Sequence, residues 1–579
     1  MSSTKIREFN PKDFGFGSNV TGITNSSSTG YQYYAQRYSM TDDFPFAEIN
    51  VFQLGLYAQD KWTVSDKLNL TLGLRIDVPF FMTDLQSNDK VAAETYRDGI
   101  KIDVSKYPNA KPQFSPRFGF NYKPFDDENG SLQIRGGTGL FTGTPPYVWI
   151  SNQAGNNGVL FGDLNVRAVK DKNDNIISDG RPSLGFTGNM DTYKPAEGSA
   201  TRSDIAITDP DFKYPSLWKS NIAADYKFGD GWVATVELLY SKDINAIYHD
   251  NIGLYRTEQF VNDGGAGNAR PYYNGYYSDR EGNQKAANHV VMLRNTSKGH
   301  SLYTTFQLQK NFVDGILKGL YLNGSYSFGQ SRGVTDGTSS VATSAWKYRA
   351  ALDGNAEEVG YTAGSFDGRL LLSASYTANW SKYAATSFGL IYQRYRPFRY
   401  SYCYNGDANG DSQFSNDLMY IPANFDEVKD HLLPGDFDSQ EDAWKAMNAF
   451  IEQDPYLSKH RGEYAERNGA VAPFANQLDL SVSHDIKIYQ KNGRSHTLRF
   501  SFNIANFLNL LNRNWGVVQT TVLGNQQYQF LTIPKGQGPS AANNYTLKYT
   551  MAKDLDETFK DNLNDVSRWQ MQFGIKYIF

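Results

Sequence analysis

The chain has 579 residues, a formal net charge of −4, a pI near 6.0, aromatic residues at 15% and a mean hydropathy of −0.55. This charge balance, without any Lys/Arg stripe, argues against nucleic acid as a partner, because phosphate contacts need a basic surface. The single cysteine, Cys403, excludes a disulfide framework and a cysteine-based zinc cluster within the chain.

In chain order, alternation of apolar and polar residues predicts a series of strands. The segment KLNLTLGLRI places its leucines on one face and Asn69, Thr71, Gly73 and Arg75 on the other. The thirteen predicted strands cover about 50–64, 67–76, 114–124, 130–142, 215–228, 231–249, 299–313, 317–331, 366–380, 382–396, 476–488, 494–509 and 567–579.

The lengths of these strands separate a membrane protein from a soluble one. Strands of soluble proteins average about 5 to 6 residues, whereas a tilted strand needs about 9 to 11 residues to cross a bilayer. Tight turns also alternate with long polar loops, as in outer-membrane proteins. Because lipid offers no hydrogen bonds to an open edge, the sequence predicts an all-β, antiparallel transmembrane β-barrel with long extracellular loops and short periplasmic turns.

Strand parity predicts that the barrel extends beyond this chain. Bacterial single-chain barrels normally have an even number of strands, so thirteen strands indicate a C-terminal portion. We expect residues 1–49 to form an extracellular loop segment and residues 50–579 to form a single barrel domain. The stretch MSSTKIREFN has no apolar core of a signal peptide, so the N-terminal strands and the signal peptide are expected upstream.

Two loop segments carry further predictions. The stretch SQEDAWKAMNAFIEQ, residues 439–453, starts with a near capping box and predicts an external helix that covers the pore mouth or moves as a lid. The stretch DANGDSQFSND, residues 407–417, resembles a calcium loop and makes calcium the one candidate cofactor; a solvated turn is the alternative. The candidate metal ligands are Asp407, Asn409, Asp411 and Asp417.

An aromatic and arginine-rich segment, YQRYRPFRYSYCY, occupies residues 392–404 at the expected external rim. Such side chains suit peptide or glycan ligands through stacking and bidentate hydrogen bonds, and they equally suit the belt of lipid headgroups. The candidate ligand-binding residues are Tyr392, Arg394, Tyr395, Arg396, Arg399 and Tyr400. The seven histidines form no metal-binding motif and there is no nucleophile elbow or phosphate loop, so no enzymatic activity is expected.

Several segments, in order along the chain, resemble the TonB-dependent outer-membrane receptors, specifically their Oar-like branch. The segments are FQLGLYAQDKWTVSDKLNLTLGLRIDVP, LLYSKDINAIYHDNIGL, NDLMYIP, RGEYAERNGA and TLRFSFNIANFLNLLNRNWG. The resemblance implies a 22-strand-type barrel with an upstream plug and TonB box, so the TonB complex would be a partner of the full-length protein. It also implies that the terminal strand, which ends on Phe579, is the signal that the assembly machinery recognises.

The function expected from this resemblance is import of a ligand too large for porins, in the outer membrane of a Gram-negative bacterium. The lumen would be lined by residues such as Arg75, Glu237, Gln307, Arg369, Asp479 and Arg499. Outer-membrane lipid is an expected partner, and a surface lipoprotein is a further candidate. The alternatives are a passive pore, a structural or adhesive barrel and, from another class, a soluble β-rich glycan-binding protein.

Overall fold

The structure is a computed structural model. It describes residues 2–6, 33–40, 47–128, 130–167, 169–170, 176–177, 202–261, 270–489, 495–523, 527–534, 538–539, 545–551 and 557–579. Most of the predicted extracellular segment 1–49 and the predicted turn QKNGR (490–494) lie outside the described residues. Within the described part of the chain, no helix is both long and apolar enough to cross a bilayer.

Thirteen long strands form one large antiparallel sheet, which confirms the predicted fold class and strand number. They are β3 (Ala47–Ser65), β4 (Leu68–Phe81), β5 (Gln113–Asp127), β6 (Gly130–Thr142), β11 (Ser216–Phe228), β12 (Trp232–Asp243), β17 (His300–Asn311), β18 (Leu320–Gly333), β20 (Arg369–Ser381), β21 (Ala384–Tyr395), β27 (Ala475–Tyr489), β28 (Ser495–Ala505) and β34 (Gln570–Ile578). Each pairs with the next in this series.

The sheet made by these strands is open. Among the residues that the structure describes, the far edge of β3 is paired only at Ala47–Val51, by a short strand β1 (Ser2–Ile6). Within the same described part, β34 pairs with β28 on one side and with no strand on the other. Two edges therefore carry backbone N–H and C=O groups that need hydrogen-bond partners wherever they meet hydrocarbon.

The register gives the sheet a polar face and an apolar face. On the polar face, Arg135 Nε lies 3.0 Å from Asp225 Oδ2, and Arg499 Nε donates to Asp485 Oδ1 at 2.6 Å. The strand pairing places all six residues expected to line the lumen on this polar face. The apolar face leaves large side chains exposed, including Leu72 at 52% and Phe573 at 66%. A face of this kind fits contact with lipid.

Two predicted strands end earlier than the alternation indicated. The predicted strand 231–249 stops at Asp243, because the N–H groups of Ile244 and Asn245 both donate to the carbonyl of Ser216 and turn the chain away. The predicted strand 494–509 stops at Ala505, because Asn506 adopts a left-handed conformation with φ of 53°.

The long connections carry smaller elements. The helices are α1 (Asp89–Ala93), α2 (Tyr147–Gly155), α3 (Ala342–Lys347), α4 (Gln440–Gln453) and α5 (Phe507–Leu511). The short strands are β2 (Tyr33–Ser39), β7 (Phe161–Arg167), β8 (Val169–Lys170), β9 (Ile176–Ile177), β10 (Ser203–Thr208), β13 (Ala246–Asn251), β14 (Leu254–Val261), β15 (Arg270–Tyr276), β16 (Ala287–Thr296), β19 (Gly360–Tyr361), β22 (Arg399–Tyr402), β23 (Tyr420–Ile421), β24 (Leu432–Leu433), β25 (Glu463–Tyr464), β26 (Ala470–Val471), β29 (Gln519–Thr521), β30 (Gln527–Tyr528), β31 (Leu531–Thr532), β32 (Leu547–Tyr549) and β33 (Phe559–Asp561).

Candidate functional site

The long loops are packed against one another around hydrophobic clusters of their own. The largest cluster joins residues from the connections after β21 and after β28, including Tyr400, Tyr402, Phe450, Tyr528 and Phe530. Since each of these side chains is at most 1% exposed, burial of their apolar surface orders the loops into a body at one end of the sheet. We call this the loop body.

The predicted external helix is confirmed as α4, one residue shorter at its start. The Ser439 side chain caps it, accepting a hydrogen bond from the Asp442 N–H at 3.1 Å. Its apolar side, with Met447 and Phe450 buried, faces the large cluster. This packing fixes α4 as part of the loop body.

The aromatic and arginine-rich segment is divided by the end of β21. Tyr392 and Arg394 lie on the apolar face, where Tyr392 pairs with Leu478 and Arg394 stacks 4.5 Å from the ring centre of Phe474. Tyr395 points to the polar face, and its hydroxyl donates to Gln477 at 3.2 Å. Of these three residues, only Tyr395 faces the expected lumen.

The remaining residues of the segment lie beyond the strand. Arg396 donates to the carbonyl of Ala472 at 2.7 Å and lies 3.5 Å from Asp367. Arg399 is buried in an ion pair with the same Asp367. Tyr400 is 1% exposed, and its ring is edge-on to Tyr402 in the large cluster. Arg399 and Tyr400 therefore support the loop body and do not face open solvent.

The acidic loop of residues 407–417 is buried and closed by its own backbone. Asp407 accepts hydrogen bonds from the N–H groups of Asn409, Gly410 and Ser412. Asp417 forms an ion pair with Arg270, with 3.1 Å between Nη1 and Oδ1, and accepts a hydrogen bond from the N–H of Ala408. These two carboxylates already have protein partners.

Asp411 differs from the other carboxylates of this loop. Its Oδ1 accepts from the N–H of Gln413 at 2.8 Å, while its buried Oδ2 has no hydrogen-bond partner. Burial raises the pKa of Asp411 well above its usual range, and the charges of Asp417 and Asp407 raise it further. Within the described ranges, no group of three or more His, Cys, Asp or Glu side chains could hold a metal ion.

Two functional candidates were not singled out by the sequence. Arg349 follows α3 and Arg467 precedes β26, and both are buried beside one cavity in the loop body. Arg467 lies in the quoted segment RGEYAERNGA, to which no site was assigned, and no motif marks Arg349. The two residues are far apart along the chain and meet only through loop packing. At the other end of the sheet, Phe579 is 89% exposed, and its ring stacks on Tyr577.

The comparison that decides the family rests on most of the chain. A protein-family model described as "Outer membrane beta barrel domain" matches residues 3–541. The chain belongs to this outer-membrane β-barrel family. It is therefore a protein of the Gram-negative outer membrane, and its large antiparallel sheet is the wall of the barrel. The membership also confirms the predicted localisation.

Solved structures are similar to this barrel at low identity. The siderophore receptor PirA from Acinetobacter baumannii matches with a TM-score of 0.37 and 9% identity, over 83% of this chain and 47% of that one. The copper transporter OprC gives a TM-score of 0.37 and 9% identity, over 83% and 48%. The RagAB peptide importer in its closed-closed state gives 0.31 and 9%, over 94% and 46%. The barrel thus spans about half the length of these chains. No curated protein matches its sequence.

Proposed function

We propose that this chain is the barrel portion of a TonB-dependent outer-membrane receptor that imports a ligand too large for porins. The observation that carries the proposal is the thirteen-strand sheet whose two outer strands, among the described residues, leave one edge unpaired and the other paired only over Ala47–Val51, in a chain of the outer-membrane barrel family. Further strands would be needed to pair those edges in a bilayer. The Oar-like segments quoted above support the TonB-dependent assignment.

The barrel also has the features that suit a receptor. The loop body is built from long connections that follow β21 and β28, as a binding surface above a lumen would be. A passive pore does not need an ordered body of this size. We assign no enzymatic activity to it.

The proposal is tested by measuring whether growth on the imported nutrient requires this protein and the energy that the TonB complex supplies. In the native host, deletion of the gene is expected to abolish growth on one class of nutrient among peptides, glycans and metal chelates, and a plasmid copy should restore it. Removal of the inner-membrane TonB complex should reproduce the loss. Growth that persists without that complex would instead establish a passive pore.

The size of the natural protein gives a second test. The protein purified from the outer membrane should exceed the 65.1 kDa of this chain, because strands, plug and TonB box are proposed to lie upstream. Its N-terminal peptides, read by mass spectrometry, should contain the plug. A mature protein that starts at Met1 and closes alone would contradict the 22-strand-type barrel.

Two site proposals accompany this function. We retain Tyr395 and Arg396 as ligand contacts at the mouth, since Tyr395 ends β21 on the polar face and Arg396 follows it at the start of the long loop. We also retain calcium stabilisation of the 407–417 loop as a proposal, because Asp411 Oδ2 is buried without a partner; since carboxylates alone do not form a metal site among the described residues, amide oxygens would complete the ligand set. Calcium should raise the thermal midpoint of the full-length protein, and Asp407→Ala with Asp411→Ala should remove that rise. An equal rise in the variant would end the calcium proposal.

A further inference from the structure

A polar cavity of about 370 Å³ lies inside the loop body. It is open to solvent on one side and is lined by the connection after β18, which includes the end of α3, by the strand β22 and by the loop before β26. Its lining includes Asp336, Arg349, Ser401, Arg467 and Asn468. A volume of this size lies at the lower end of the range for small-molecule sites.

Arg349 is 5% exposed, yet its guanidinium has no carboxylate partner among the described residues. It donates to three backbone carbonyls, those of Val334, Gly354 and Ala356. Its buried Nε has no hydrogen-bond partner. Since a guanidinium carries five N–H donors, Arg349 retains two that are unused, and because Nε is enclosed by protein, the one on Nη1 is left for a ligand.

Arg467 repeats this arrangement from another loop. It is 4% exposed and donates to the carbonyls of Val334, Gly333 and Gly360, again with an unpartnered Nε. Both guanidiniums thus converge on one acceptor, the carbonyl of Val334. Two like charges therefore share a neutral acceptor.

The nearby acidic groups do not neutralise this pair by direct contact. Glu358 accepts hydrogen bonds from the N–H groups of Leu352 and Asp353. Asp336 accepts from Asn468 Nδ2 at 2.9 Å and from the N–H of Ala363 at 2.8 Å. Burial lowers the pKa of both Arg349 and Arg467, and the charges of nearby carboxylates, Glu358 among them, offset this only in part.

We propose that this cavity is an anion-binding site that takes the carboxylate of a small organic ligand between Arg349 and Arg467. Each guanidinium keeps one unused N–H on Nη1, so each can donate to one oxygen of a carboxylate, and an anion would relieve the repulsion between the two buried charges. The volume exceeds that of a bare carboxylate, so the anion belongs to a larger molecule. This site goes beyond the proposed import function and does not depend on it.

The test measures binding by calorimetry to the full-length protein in detergent. The probes are N-acetylglycine, its neutral counterpart N-acetylglycinamide, and inorganic sulfate. N-acetylglycine should bind, while the amide should bind about tenfold or more weakly, because a charge-assisted hydrogen bond is lost. Sulfate should bind more weakly than N-acetylglycine, since a tetrahedral ion leaves most of the cavity unfilled.

Four variants separate the site from the fold. Arg349→Met and Arg467→Met should each weaken N-acetylglycine binding about tenfold or more. Asp336→Asn should strengthen it severalfold, because it removes a negative charge that lines the cavity. Arg332→Met is the matched control, since Arg332 is already neutralised by Glu466 at 2.6 Å and should leave binding unchanged. Folding of each variant is checked by its heat-modified gel mobility.

The exposed position of Asp336 keeps the test decisive if the arginine variants fail to fold. Equal affinity for N-acetylglycine and its amide would overturn the proposal. Weaker binding in Asp336→Asn, or sulfate binding as tightly as N-acetylglycine, would overturn the carboxylate assignment. None of these outcomes bears on TonB-dependent import, which is tested separately by growth.

Discussion

The terminal strand β34 allows the bilayer assignment to be tested one residue at a time. Phe573 lies next to the middle of Gln570–Ile578, on the apolar face, paired with Phe502. Gln572 is its immediate neighbour on the polar face, paired with Asn503. The substitutions Phe573→Lys and Gln572→Lys therefore place the same charge at nearly the same depth on opposite faces.

The expected magnitude follows from the geometry of the strand. Nine residues at about 3.4 Å each, tilted by about 45°, span roughly 22 Å, close to the apolar band of about 25 Å. Phe573 thus lies near the midplane, where a lipid-facing lysine costs about 2–4 kcal/mol. Measured against Phe573→Ala, Phe573→Lys should lower the free energy of unfolding by this amount. Gln572→Lys should cost less than about 1 kcal/mol, because it faces water.

A depth control comes from the same strand. Tyr577 is on the apolar face but near the end of β34. Tyr577→Lys should therefore lower the free energy of unfolding by only about 0–1 kcal/mol. The assay is urea unfolding of the full-length protein in lipid vesicles, followed by tryptophan fluorescence and gel mobility. Equal costs for Phe573→Lys and Gln572→Lys would refute the assignment of the two faces. Equal costs at positions 573 and 577 would refute the position of the midplane.

Three further predictions concern the loop body and the C-terminus. Ser439→Ala should destabilise α4 by about 1 kcal/mol, because it removes the cap on the Asp442 N–H, and amide exchange of 440–453 should quicken. Burial lowers the pKa of His249 to about 4 from 6.5, so its neutral form stabilises the fold above pH 6.5 and this contribution is lost as the pH falls toward 4. Exchange protection of 246–251, corrected for intrinsic rates, should fall over that range, and His249→Asn should abolish the dependence. Deletion of Phe579 should reduce the amount of folded protein in the outer membrane, measured by gel mobility. Phe579→Trp should preserve that amount. Unchanged assembly after the deletion would exclude the role of Phe579 as a signal.

The sequence was sufficient to predict the wall because a strand that separates two solvents must alternate. Leu68, Leu70 and Leu72 repeat at every second residue, and that period fixes which side chains share a face before any pairing is known. The cap of α4 was equally predictable, since Ser439 and Asp442 are neighbours along the chain. In both cases the determining contacts are local.

The loop body could not be predicted from the sequence, because its contacts join distant segments without a period. Tyr400 appeared free to bind ligand until the packing of α4 and Tyr528 around it was known. Nothing in the sequence relates Arg349 to Arg467, and they meet only because two long loops fold so that both side chains reach one carbonyl.

The sequence by itself therefore determined the strand number, the two faces and the membrane that the protein occupies, since local alternation encodes the solvent on each side of a strand. Only the tertiary structure decided which polar side chains are buried, which are paired and where a cavity lies. Those properties depend on how loops far apart in the chain exclude water together, and no short segment contains that information.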